Sequence, residues 1–173
     1  RMRLAQVMGA LSADAGVPGA LVPAAAVLSC VVPALERPWK AALSRTCTGR
    51  VLTVGPGLKT GMPVHYDDPA EIGPDRIADA VAARAVYGSP CIVIDLGTTT
   101  NIEVIDTHGT FVGGVIAPGL ALGARSLSAA AARLPQVEPS APTHVIGRNT
   151  REAMRSGVVL GEVARIDGML DMV

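Results

Sequence analysis

Apolar positions along this chain follow two periods, one helical and one of short buried runs. From Leu4 to Ala15 they recur at helical spacing (Leu4, Val7, Met8, Leu11) until Gly16 stops the pattern. Ala25 to Val32 is a short apolar run ending at Pro33, which predicts a buried strand. From Pro33 to Arg45, Leu35, Trp39, Ala42 and Leu43 fall on one face of a predicted helix. A strand is expected over Arg50 to Val54, then a loop rich in Gly and Pro from Gly55 to Gly73. The clearest helix runs from Asp75 to Tyr87, with Ile77, Ala80, Val81 and Ala85 inward and Gly88 as its stop. Strands are expected at Cys91 to Asp95, Asn101 to Ile105 and Thr110 to Ile116, the last two separated by the turn Asp106-Thr107-His108-Gly109. A helix from about Leu120 to Ala132 ends near Leu134-Pro135. Gln136 to Gly147 reads as loop or edge strand, and Thr150 onward as helix, with Gly157 a candidate break.

The resulting order is α-β-α-β, a linking helix, then β-β-β-α. Three strands in a meander followed by a helix is how an RNase-H-like lobe opens. The first half resembles the closing part of such a lobe without its opening meander. The expected fold class is therefore α/β, an RNase-H-like (actin-like ATPase) two-lobe fold, partial at both ends. Residues 1–87 are expected to hold the remainder of the first lobe plus the linking helix, and residues 88–173 the opening part of the second.

Composition narrows the function classes. The 173 residues are 49% hydrophobic, enough for a real core, but only 2% aromatic, so that core must be aliphatic. The formal net charge is zero, with no basic surplus to suggest a nucleic-acid partner. No run is long and apolar enough to span a membrane, and no signal peptide shows at the start. Cys30, Cys47 and Cys91 are an odd count without a C-x-x-C, which argues against zinc or a disulfide framework. They read as buried free thiols of a cytoplasmic protein.

The segment richest in chemistry is Asp95-Leu96-Gly97-Thr98-Thr99-Thr100, set between two predicted strands. A glycine lets backbone approach a ligand closely, threonines and N–H groups can donate to phosphate, and the aspartate can hold a cation nearby. A plain hairpin would also fit between strands, but its favoured turn residues are Asn-Gly or Asp-Gly rather than a run of threonines. The pattern points to a nucleotide-dependent phosphotransferase of the actin-like and sugar-kinase-like type. No second Asp-x-Gly-Thr or Asp-x-Gly-Asn occurs in the chain.

Gly73-Pro74-Asp75-Arg76 opens the clearest helix. Pro74 suits the first helical position, and Asp75 meets the positive end of the helix dipole, which alone would explain both. The same corner could hold a carboxylate that orients an attacking hydroxyl and takes its proton late, with Arg76 binding an anionic group of the acceptor. Gly55-Pro56-Gly57-Leu58-Lys59-Thr60-Gly61 is neither a Walker A loop, since Leu58 stands where glycine is needed, nor a dinucleotide fingerprint. It is a substrate-facing loop or a plain connection. Tyr66 sits in a polar loop, either stacking on a ligand or packing on its own lobe. Gly113-Gly114 and Pro118-Gly119 end a strand and open a helix, where a glycine can admit a ligand or simply make a tight turn. Asn149-Thr150 is a plausible helix cap. His65, His108 and His144 carry no signal above surface histidines.

In this order the segments resemble the type III pantothenate kinases, of the acetate and sugar kinase, Hsc70 and actin superfamily. Ser29-Cys30-Val31-Val32-Pro33 resembles that family's Ser-x-Val-x-Pro strand end, and residues 55–61 its Gly-Pro-Gly-x-Lys-Thr-Gly loop. Tyr66, Pro69, Glu71 and the Gly73 to Arg76 corner follow at the family's spacing. Asp95 to Thr100 is similar to its Asp-Phe-Gly-Thr-Ala-Thr turn, and Gly113-Gly114, Pro118-Gly119 and Asn149-Thr150 complete the order.

The resemblance implies ATP-dependent phosphorylation of pantothenate to 4'-phosphopantothenate, at the entry to coenzyme A synthesis. It implies Asp75 as general base, Gly73, Pro74, Arg76 and Tyr66 around pantothenate, and Thr150 touching pantothenate across a homodimer interface. Gly97 and Thr98 would contact ATP, and Asp95 would help hold a monovalent cation (K+ or NH4+), with Mg2+ accompanying ATP. The family has Ala where this chain has Pro74, Phe where it has Leu96 and Ala where it has Thr99. Its N-terminal Asp-x-Gly-Asn-Thr turn is absent, so the sequence reads as an interior segment of such an enzyme. The competing expectation is a non-catalytic accessory or regulatory relative with the same fold.

Overall fold

The computed structural model describes residues 22–173, so the helix expected from Leu4 to Ala15 lies outside the described residues. The chain divides into two compact units. The first holds the described residues up to Cys91 together with Ile105–Val112; the second holds Ile92–Val104 and Gly113–Val173.

In the first unit, β1 (Ala26–Leu28) and β2 (Val51–Thr53) pair in parallel, with Ala26 opposite Val51 and Leu28 opposite Thr53. Parallel neighbours need a crossover, and α1 (Pro33–Thr46) supplies it, with proline in its first turn. The strands are shorter than the apolar runs that predict them. Helix α1 buries none of its residues, and Leu35 and Trp39 on the expected inner face are 47% and 44% exposed. Among the described elements this helix packs mainly on the two short strands, too little sheet to cover its apolar stripe.

Residues 55–73 are tied down rather than structureless. A short 3-10 turn, Pro69–Glu71, is capped by Asp68, whose carboxylate accepts from Ala70 N–H at 2.9 Å. Val64 bridges Phe111 in parallel fashion: Phe111 N–H donates to the Pro63 carbonyl at 2.9 Å and His65 N–H to the Phe111 carbonyl at 2.8 Å. Helix α2 (Pro74–Tyr87) ends where predicted, at Gly88 with φ +84°. Ala80 is fully buried, and Ile77 and Val81 are half-buried. Ala85, expected inward, is exposed. The adjacent Arg84 reaches the loop instead, donating to the Gly61 carbonyl at 2.9 Å. It also packs against Gly109, where a Cβ would stand 2.5 Å from Arg84 Nε.

The second unit is built on a meander ordered β3 (Cys91–Leu96), β4 (Thr99–Ile105) and β5 (Phe111–Pro118). Only Gly97 and Thr98 separate β3 from β4, which obliges these neighbours to run antiparallel. Central β4 is buried along most of its length, whereas β3 is not the buried strand its sequence suggests. Ile92, Ile94 and Leu96 alternate outward on this edge strand. Helices α3 (Leu120–Ala130) and α4 (Thr150–Leu170) pack on one another. The stretch between them is loop, held by Ser128 to the Pro135 carbonyl (3.0 Å), Arg151 to the Gln136 carbonyl (3.0 Å) and Ser156 to the Val145 carbonyl (2.5 Å). Helix α4 continues through Gly157 without a break, because its cap and its packing on α3 outweigh the local preference of one glycine. No helix among the described residues is long and apolar enough to cross a membrane. The three cysteines are half-buried free thiols.

Two outcomes follow for stability. At Gly157 and Gly161 a Cβ would meet nothing within 4 Å. Gly157→Ala and Gly161→Ala should each stabilise by about 0.5–1 kcal/mol, read from chemical denaturation. At the β4–β5 turn, Asp106 accepts from Thr110 and His108 N–H groups at 2.8 and 2.9 Å. The Thr110 N–H first, then the N–H and ring of His108, hold its carboxyl below the ordinary 3.8. A depressed folded value means that this contribution is present above pH 3.8 and lost as pH falls through the lower folded value. Acid unfolding of Asp106→Asn should therefore show a smaller stability loss below pH 3.8 than the parent.

Candidate active site

Helix α2 begins at the corner Gly73-Pro74-Asp75-Arg76. Gly73 is the N-cap, Pro74 occupies the first turn, and Gly73 C=O accepts the first helical bond from Ile77 N–H at 3.2 Å. The Asp75 carboxylate folds back on its own corner. Its Oδ1 accepts from Arg76 N–H at 2.9 Å and lies 2.4 Å from where a Cβ on Gly73 would stand. A side chain at 73 would displace that oxygen from its present position.

Arg76 is 6% exposed, and its guanidinium carbon sits 5.7 Å from the centroid of the Phe111 ring. That distance is in the range of cation–π attraction, which is stronger when desolvated. Tyr66 touches the same ring, with centroids 6.1 Å apart at 47°. Tyr66 and Arg76 thus converge on one buried phenylalanine, and Gly73, Pro74 and Asp75 directly precede Arg76 in the chain. Residues 55–61 line a cleft of about 430 Å³ that also takes in Met62, Val64 and Ile77. Tyr66, Asp75 and Arg76 do not line it.

In the second unit, Asp95 closes β3 half-buried, and Gly97 and Thr98 form the exposed turn. Gly97 N–H donates to the Thr99 carbonyl at 3.0 Å. A Cβ on Gly97 would meet nothing closer than the Thr99 carbonyl at 3.6 Å, with the Asp95 carboxylate oxygens at 3.8 and 3.9 Å. A Cβ at 97 would therefore sit in ordinary van der Waals contact with Thr99 and Asp95, and the turn itself is exposed. No group of three or more His, Cys, Asp or Glu side chains that could hold a metal occurs among the described residues. Asp95 is a single donor beside the turn, which suits an ion that brings phosphate or water ligands with it.

The profile of the family described as type III pantothenate kinase matches residues 2–172. The chain belongs to this family. A type III pantothenate kinase of Koribacter versatilis (strain Ellin345) is 45% identical over 145 residues, covering 84% of this chain and 53% of that protein. Another, of Shouchella clausii (strain KSM-K16), is 43% identical over 147 residues, covering 85% and 57%. The chain spans about half the length of the curated relatives it matches. A crystal structure from Campylobacter jejuni, of a conserved protein provisionally described as a Baf family transcriptional activator, superposes with a TM-score of 0.52. It covers 80% of this chain and 60% of that one at 23% identity, a likeness of fold.

Within this pantothenate kinase family chain, two residues matter more than their sequence context suggests. Phe111 is one of four aromatics, and its position at the start of a strand gives no hint that Arg76 and Tyr66 converge on it. Gly119, expected to admit a ligand or make a tight turn, makes the turn from β5 into α3 and also packs against the 97–98 turn. Its N–H donates to the Thr98 carbonyl at 3.1 Å, and a Cβ there would fall 2.3 Å from the Gly97 carbonyl oxygen and 2.8 Å from that of Thr98. Thr150 is exposed in the first turn of α4 and is not the cap. Asn149 is, accepting from Glu152 N–H at 3.0 Å, while the Glu152 carboxylate accepts from Arg148 N–H at 3.1 Å. These two partners, Arg148 first, hold the Glu152 carboxyl below its usual value.

Gly119→Ala should move the 97–98 turn and destabilise the fold by about 1–3 kcal/mol, the range for forcing a methyl into packed backbone. Urea unfolding, with backbone amide shifts at 97–99, reads both effects.

Proposed function

We propose that this protein catalyses, in its complete form, ATP-dependent phosphorylation of pantothenate to 4'-phosphopantothenate, the first step of coenzyme A biosynthesis. The observation that carries this reading is the Gly73–Arg76 corner, where a carboxylate at a helix N-terminus accepts from the backbone N–H of a buried arginine. Membership of the kinase family supports it. The fold we propose is RNase-H-like and actin-like, with residues 1–87 belonging to a first lobe and its linking helix and residues 88–173 to the opening of a second.

In this reading Asp75 orients the primary hydroxyl of pantothenate and takes its proton late. The hydroxyl oxygen bonds to the γ-phosphorus as the bond from that phosphorus to the β–γ bridging oxygen breaks, and ADP leaves. Arg76 binds the pantothenate carboxylate, held in place by the Phe111 face, and Gly73, Pro74 and Tyr66 complete the acceptor surroundings. Gly97 and Thr98 contact the ATP phosphates, with the Thr98 hydroxyl as a donor. Asp95 is the donor for a monovalent cation, K+ or NH4+. Mg2+ bound with ATP supplies charge neutralisation on the phosphates. Thr150 reaches pantothenate across a homodimer interface, and the enzyme works in the cytoplasm.

The test is phosphate transfer from ATP to pantothenate by the complete gene product, with and without potassium. Potassium-dependent turnover is the expected result. Pantothenate binding without turnover would instead identify a non-catalytic, regulatory relative, and absence of binding would sink the acceptor assignment. Asp75→Asn should lower kcat by about 10²–10⁴-fold while circular dichroism stays unchanged. Retained activity in that variant would remove Asp75 from the mechanism.

A further inference from the structure

Both flanks of the Gly97–Thr98 turn are tied to a single ion pair on α4. Glu162 is buried, with 7% of its side chain exposed, and sits one turn from Arg165. A carboxylate so far from water has to be paired and hydrogen-bonded. The Thr100 hydroxyl, itself on a residue only 2% exposed, donates to Glu162 Oε1 at 2.5 Å. Arg165 Nη2 donates to Glu162 Oε2. The same nitrogen donates to the Pro118 carbonyl at 2.8 Å. Pro118 is the last residue of β5, and the next residue, Gly119, donates its N–H to the Thr98 carbonyl at 3.1 Å.

One route therefore runs from Glu162 to Thr100, just after the turn. The other runs from Arg165 through Pro118 and Gly119 to Thr98, within the turn. Nothing in an i, i+3 Glu–Arg spacing on a helix distinguishes this pair in sequence from an exposed, weakly coupled one.

We propose that Glu162 and Arg165 are positioning residues for nucleotide binding: their ion pair, with Glu162 buried and Arg165 half-buried, sets how the 97–98 turn is presented to phosphate. The proposal rests on reading residues 95–100 as a nucleotide phosphate turn. It deepens that reading by assigning control of the turn to two side chains on α4. Arg165→Met keeps the aliphatic stem but removes the donor to Glu162 and Pro118 together. Glu162→Gln keeps an acceptor oxygen for Thr100 and removes the charge that Arg165 answers. Arg165→Lys keeps one charged donor.

The experiment measures ADP–magnesium and pantothenate binding separately, by calorimetry on the complete gene product, with circular dichroism and a thermal melt for each variant. Arg165→Met should raise the ADP Kd by about 10- to 100-fold, the scale expected when a binding group is displaced by about an ångström. The pantothenate Kd should stay unchanged, and Arg165→Lys should recover most of the loss. Glu162→Gln should act in the same direction, and the double variant should add little to either single one, because both act through one network. Should Arg165→Met fail to fold, Glu162→Gln carries the same expectation.

An unchanged ADP Kd in folded variants overturns the proposal. So does a parallel loss of ADP and pantothenate binding, which would mean a structural role alone. Wild-type protein that binds no nucleotide also overturns it. Wild-type protein that binds ADP yet transfers no phosphate to pantothenate refutes the kinase reading and leaves this one standing.

Discussion

Burial of the Phe111 ring is the contact on which the first unit's chemistry depends. The chain has few aromatic residues, and this one is fully buried. Its backbone pairs with residues 63 and 65 of the 55–73 loop, and its ring lies beside Tyr66 and against the Arg76 guanidinium. An aliphatic side chain at this position could exclude water but could not offer a π face to a buried cation. The Gly73–Arg76 corner inherits its orientation from this contact. The ring is one of the contacts that hold the Arg76 guanidinium, and the Asp75 carboxylate accepts from the Arg76 N–H.

In the second unit the equivalent constraint is polar. The turn after β3 is exposed, and it meets Gly119 at a separation no side chain tolerates. Beneath it, Thr100, Glu162, Arg165 and the Pro118 carbonyl form one connected set of charge-assisted hydrogen bonds. Such networks are stiff when every member is satisfied, because any displaced member leaves a buried charge or dipole unanswered. The 97–98 turn is thereby fastened from behind as well as by its own Gly97–Thr99 hydrogen bond.

Much of the architecture was legible because it follows from local rules. The Asp75 to Tyr87 helix was readable from its proline start, its glycine stop and its apolar spacing, and the meander from its turn residues. What misled were inferences from local pattern to burial. The apolar faces of α1 and β3 predict inward residues, yet Leu35, Trp39, Ile92 and Ile94 are exposed among the described elements. Periodicity shows which residues share a face and is silent on what covers it. Gly157 misled for the complementary reason, since a propensity of under about 1 kcal/mol is readily outweighed by packing along a 21-residue helix.

The sequence by itself determined the chemistry on offer. The Asp-x-Gly-Thr turn, the Gly-Pro-Asp-Arg corner and the order in which they occur are local, and each follows from spacing within a few residues. Only the tertiary structure decided which distant residues hold those segments in place. Phe111 lies 35 residues after Arg76 and Glu162 lies 62 after Thr100. Their pairing depends on how strands and helices pack, which no local period encodes. The same holds for Gly119, whose need to be glycine comes from the carbonyls of Gly97 and Thr98 meeting it across the fold.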